Sequence, residues 1–175
     1  YYAIWGSQGF ANPEHAGASD DARNSLWSLA LAPDGDFDTA SVRREVLLPD
    51  FFRSPEAIAR AGFSQPVSDI AFTGDGRIML LAERGGLRNR GLEAENAFAF
   101  PHESRVLRYE RDTEGLWQPV GRYDVGYPDR RADGPPYLRA NAGGGVAFGL
   151  GYDADGAASL DLPDGFVWMS GNSLC

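Results

Sequence analysis

A supersecondary unit that returns at a fixed interval constrains this chain more than any other feature. Residues Asp69-Ile70-Ala71-Phe72-Thr73-Gly74-Asp75-Gly76-Arg77-Ile78-Met79-Leu80-Leu81-Ala82-Glu83 read as strand, tight turn, strand. The opening of this unit returns as Gly145-Val146-Ala147-Phe148, with Ala147 standing 76 positions after Ala71. Its second strand has an earlier counterpart in Tyr2-Ala3-Ile4-Trp5, where Tyr2 lies 76 positions before Ile78. A recurring unit of short strands is the mark of a repeat architecture, and four strands per unit predicts the blade of a β-propeller.

The strand pattern divides the chain further. Tyr1–Trp5, Leu26–Ala32 and Val42–Leu48 read as outer strands of a first blade within residues 1–50. Pro33-Asp34-Gly35-Asp36 is a turn, since proline presets one dihedral and glycine admits positive φ. Residues 51–65 form a connector with a short helix over Ser54–Gly62, capped by Ser54, with Pro55 at its first position and Gly62 just past its end. Residues 66–126 make one complete blade, with strands Val67–Phe72, Arg77–Glu83, Arg105–Glu110 and Leu116–Val125 and an insertion over 84–103. The alternation of charged and apolar residues from Arg105 to Glu110 predicts a half-buried strand. Pro119 marks an edge or bulge. Residues 127–142 read as a second connector. Residues 143–175 open a third blade, with a strand over Gly145–Tyr152, a turn at Asp153-Ala154-Asp155-Gly156 and another strand over Phe166–Met169. The expected fold is all-β: an incomplete β-propeller of two to three four-stranded antiparallel blades with one short inter-blade helix. Such blades bury their faces only against neighbours, so the expected partners are the remaining blades of a parent chain or a completing protein chain.

Composition narrows the function classes. A net charge of −9 argues against nucleic acid, because phosphate recognition needs a basic face. All 16 basic residues are arginine, as codon bias in a GC-rich genome would produce. The single cysteine, Cys175, excludes an internal disulfide. No run of about 18 apolar residues predicts a membrane span.

Candidate chemistry is sparse. Asp34, Asp36 and Asp38 alternate, and Glu45 completes the 1, 3, 5, 12 spacing of a calcium loop. Thr39 stands where that loop needs glycine, Ser41 replaces its apolar residue, and the flanks read as strands; a solvated acidic hairpin gives the same pattern. Asp153 and Asp155, with Asp161 and Asp164 downstream, form a second acidic group, again suited to calcium or to a plain Asp-Gly turn. His15 and His102 fall in loops without a second ligand at zinc spacing. No serine sits in a nucleophile elbow. Gly143-Gly144-Gly145 precedes a strand, not a helix, which argues against a phosphate cradle and for tight packing. The insertion over 84–103 carries Arg84, Arg88, Arg90, Glu93, Glu95 and His102, with Phe98 and Phe100 to pack it down. Long loops on rigid scaffolds often carry function, so Arg84, Arg88, Arg90 and His102 are the candidate ligand-binding residues.

Asp69-Ile70-Ala71-Phe72 with Gly74-Asp75-Gly76-Arg77 resembles the Asp-Gly inner hairpin of bacterial propellers, loosely those of the NHL and lactonase-like group. Glu83-Arg84-Gly85, Ser104–Tyr109, Asn141–Gly144 and Val167-Trp168-Met169 are similar to stretches of large secreted or surface proteins of Gram-negative bacteria. The resemblance implies a fold and an extracellular, cell-surface or periplasmic location, and carries no catalytic residue over. The signature dipeptides of WD40 blades are absent. The resulting expectation is a non-enzymatic binding or scaffold module. The alternative is a calcium-dependent, lactonase-like enzyme, for which Glu83, Asn141 and Asp69 are the ligand types that the resemblance implies.

Overall fold

The computed structural model describes residues 1–4, 23–50, 66–84, 104–123, 126–128, 138–140 and 144–170. These residues form only strands and turns, arranged in antiparallel sheets. The expected helix over Ser54–Gly62 lies outside them. The described residues fall into two compact units, one ending at Pro66 and the other starting at Val67.

The first unit holds a three-stranded meander of β1 (Tyr2–Ile4), β2 (Ser25–Leu31) and β3 (Phe37–Leu47). Strand β3 is longer than the apolar pattern predicts, because the polar stretch after Asp36 pairs with Ala30 and Leu31. A register shift between Ser28 and Ala30 accommodates the mismatch. Leu26, Val46 and Leu48 are buried. The amide of Leu48 donates to the carbonyl of Asn24 and closes the end of the sheet away from the turn.

The second unit is organised around a four-stranded meander. Its strands are β4 (Val67–Phe72), β5 (Ile78–Glu83), β6 (Arg105–Arg111) and β7 (Trp117–Tyr123), in that spatial order. Strand β5 is buried on both faces from Met79 to Glu83. Side chains alternate across a strand, so Leu80 and Ala82 share one face with Val106 of β6. That face packs on Val146, Phe148, Val167 and Met169 of the following sheet. Burying a leucine of this kind contributes about 1.5–3 kcal/mol. Pro119 sits opposite Tyr109 beside a register shift, the position expected for a residue with no amide to give the ladder.

Strand β6 departs from the half-buried expectation. Arg105, Val106, Leu107 and Tyr109 are all buried, so the charged positions do not form a solvated face. Consecutive residues at the start of the strand are out of solvent, and Arg105 is buried opposite its partner across the ladder, the fully buried Glu83.

Beyond β7 the chain contains β8 (Gly126–Pro128) and β9 (Leu138–Ala140), a short antiparallel pair inside the stretch read from sequence as a plain connector. Three-residue ladders leave no periodic signature, which is why the pattern misses them. The third sheet also differs from expectation. Strand β10 (Val146–Gly149) pairs with β13 (Phe166–Met169), and the Asp153–Gly156 turn instead joins two two-residue strands, β11 (Gly151–Tyr152) and β12 (Ala158–Ser159). The excursion is pinched at its base. A Cβ on Gly165 would lie 2.8 Å from the Gly151 Cα, and the Gly151 amide donates to the Leu162 carbonyl at 2.7 Å.

Candidate ligand groove

Four hairpins share one turn chemistry. Gly35, Gly76, Gly115 and Gly156 each take positive φ at the same place, after a three-residue turn. Each of these glycine amides bonds back to the residue three before it, namely Ala32, Thr73, Asp112 and Asp153. This is a turn followed by a left-handed residue, the common three-residue hairpin connection. An aspartate fixes each one from within. Asp112 and Asp153, in first position, accept from the amides two and four residues on. Asp34 and Asp75, in third position, accept from Asp36 and Arg77. Asp75 also accepts the Thr73 hydroxyl at 2.7 Å. That bond, with the Arg77 amide, holds the Asp75 carboxyl below its usual range, and the Leu116 amide with Gln118 does the same for Asp112.

Hydrogen bonds at both ends join the β4–β7 sheet to the next one. The Ser68 hydroxyl donates to the Gly144 carbonyl at 2.6 Å, across an interval of 76 residues. The Val146 amide donates to Asp69 Oδ2 at 2.9 Å. At the other end, the Gly74 amide donates to Asp164 Oδ2 at 2.7 Å. Asp164 itself has a φ of 60°, the only described non-glycine residue in the left-handed region.

The apolar core fills one end of the interface, and a groove of about 750 Å3 opens at the other. The turn Thr73–Arg77 and strand β6 form one wall, and Phe148 with residues 163–167 forms the other. Leu80 pairs with Arg108 and Ile78 with Glu110, so both charged residues stand on the face that carries the core leucine. Arg108 Nη1 donates to the Tyr123 hydroxyl at 2.9 Å, and Nη2 donates to Glu110. These partners raise the Arg108 pKa, the tyrosine bond contributing most. Arg108 Nε is buried and has no acceptor. A smaller cavity of about 320 Å3 continues past Arg108 to Val120 and Gly121. Arg111, which also lines the groove, lies 4.9 Å above the Trp117 ring, which in turn meets Phe72 at 5.8 Å.

The opposite end of the sheet is closed. Glu83 accepts from Arg105 Nε and Nη2 with both groups out of solvent. Burial pushes the Glu83 carboxyl up, against the opposing pull of Arg105 and Arg122. Burial also raises the Tyr109 hydroxyl, to about 12, with the Glu83 charge adding to it.

Against this geometry the sequence-derived candidates fall out as follows. Arg84 is exposed at the end of β5, and its Cβ lies 2.8 Å from where a Cβ of Gly144 would stand. Arg88, Arg90 and His102 lie outside the described residues. Asp34, Asp36 and Asp38 are exposed, with Asp34 and Asp38 each accepting from the amide two residues on. Asp153 is bound to its own turn, and Asp155 is exposed. Among the described residues no group of three or more His, Cys, Asp or Glu is placed to hold a metal ion. Glu83 and Asp69 do not fit a shared calcium site. Glu83 is committed to Arg105, and Asp69 accepts from the amides of Ile70 and Val146. Asn141 is not among the described residues.

Sequence reasoning passed over Arg108, Glu110 and Tyr123. The signal was present in the i, i+2 spacing of Arg108 and Glu110 within a strand that also carries Val106, which puts all three on one face. No family model, curated protein or solved structure matches the chain.

Proposed function

We propose that the chain is a non-enzymatic binding or scaffold module built of consecutive propeller-type blades, part of a larger secreted or cell-surface bacterial protein. The observation that carries this reading is the Ser68–Gly144 bond. The interval at which the sequence repeats, 76 residues, is also the interval across which two successive sheets are joined. Successive units stacked with the same offset are the construction principle of repeat proteins. A second observation agrees with it. The third sheet offers Val167 and Met169 to its neighbour, while Phe166 and Trp168 on its other face are 48% and 56% exposed. In the same construction a further blade covers that face.

Light scattering during size exclusion of the 175-residue chain tests the proposal. The expected result is concentration-dependent association that Trp168→Asp weakens. A monodisperse monomer, with Trp168 already shielded from acrylamide quenching, overturns it.

A further inference from the structure

We infer that the groove between the β4–β7 and β10–β13 sheets binds a neutral saccharide, at a site centred on Arg108, Glu110 and Tyr123. The inference deepens the binding-module reading and rests on it. Three features of the groove select the ligand class.

The first is size. A groove of about 750 Å3 falls in the range of small-molecule sites, roughly 300–1,000 Å3.

The second is charge. Arg77, Arg108 and Arg111 line the groove with Asp75, Glu110 and Asp164, so the formal charges cancel. Two of the carboxylates are already engaged by backbone amides, Asp75 by Arg77 and Asp164 by Gly74. A ligand of high charge of either sign therefore meets no net field to repay its desolvation. A neutral ligand meets no such penalty.

The third is the arrangement of polar and apolar groups. Arg108 and Glu110 stand side by side on one strand face, bonded to each other, with the Tyr123 hydroxyl beside them. Donor, acceptor and a group that is both are thus set in a row. Vicinal hydroxyls, each able to donate and accept, match that row. Across the groove stand Phe148 and Val167, on the face of the third sheet that meets the core. An apolar wall facing a row of polar groups suits a ring with hydroxyls on its rim and C–H bonds on its faces.

Gly121 supplies the test. Paired with Arg108, it adjoins the smaller cavity, and a Cβ there would meet nothing within 4 Å. Gly121→Leu therefore fills space beside Arg108 without backbone strain. Saturation-transfer NMR and titration of the 175-residue chain would use cellobiose and maltose, with glucuronic acid and glucosamine as charged comparators. The expected result is transfer to at least one neutral disaccharide, weakened roughly tenfold or more, about one decade in Kd, by Gly121→Leu and by Arg108→Met. Melting curves establish that the Gly121→Leu chain remains folded. No transfer to either disaccharide, equal binding of a charged comparator, or binding unaffected by Gly121→Leu overturns the inference. The scattering experiment reads the stacking of blades and not the groove, so the two readings fail separately.

Discussion

The second and third sheets open on nearly the same residues, Asp69-Ile70-Ala71-Phe72 and Gly145-Val146-Ala147-Phe148, and end in different situations. In the second, Ala71 packs into the core cluster and the neighbouring strand β5 is buried on both faces. In the third, Ala147 is exposed, and the partner strand β13 half-buries alternate residues and exposes the others. Local sequence is therefore sufficient to make the strand but not to fix its burial. Burial is set by what packs against the strand. The same difference appears in the hairpins. Asp75-Gly76 joins two six-residue strands directly, whereas Asp155-Gly156 turns a two-residue pair within an excursion.

The largest expected effect comes from the buried pair that closes the second sheet. Glu83→Ala leaves the Arg105 guanidinium buried without its counter-charge, and the expected loss is about 3–5 kcal/mol in denaturant unfolding. Leu80→Ala opens a cavity between the sheets and is expected to lose about 2–5 kcal/mol. Trp168→Ala, at the exposed face of the third sheet, should stay within about 0.5 kcal/mol of the parent. Equal effects of these last two would break the comparison. Glycine substitutions sharpen it. Gly76→Ala meets open space and should lose only the left-handed backbone term, about 1–2 kcal/mol. Gly144→Ala, at a φ of 91°, adds a clash with Ser68 Oγ at 2.7 Å and should melt measurably lower than Gly76→Ala. Ser68→Ala removes the inter-sheet bond and should lose about 0.5–1.5 kcal/mol.

The smallest effect concerns pH. The Asp75 and Asp112 carboxyls lie below their unfolded value of 3.8 in the folded chain. Their contribution is present above that value and is lost as pH falls through the folded one. Asp112→Asn should therefore flatten the decline of melting temperature below about pH 4. Glu83 acts with the opposite sign. Its folded pKa is raised, so its contribution is fully present below 4.5 and fades as pH rises through the raised value. A decline in acid that Asp112→Asn leaves unchanged would count against the turn assignment.

The strands of the second sheet were legible because alternation, Asp-Gly turns and Pro119 all point the same way. The acidic turns were legible only as an ambiguity. Asp34 and Asp153 carry a calcium-like spacing, and what separates a ligand from a turn former is which amide each oxygen faces, a property of backbone geometry. The groove was the least legible part. It depends on Arg108, Glu110 and Tyr123 of one sheet facing Phe148 and Val167 of another across an interval of tens of residues, and only the packing of one sheet on another creates it.

The two ends of the second sheet differ in a way that bears on how such a chain can change over time. The tight turns Thr73–Arg77 and Asp112–Leu116 lie at the groove end. Strand β5 leaves, and β6 and β10 begin, at the end held by Glu83–Arg105, Ser68–Gly144 and Asp69–Val146. Insertions and deletions between these strands thus enter beyond a clasp of buried charge and inter-sheet bonds. Length changes between β5 and β6 or ahead of β10 enter at the pole away from the groove, and the excursion between β10 and β13 reaches the groove's rim.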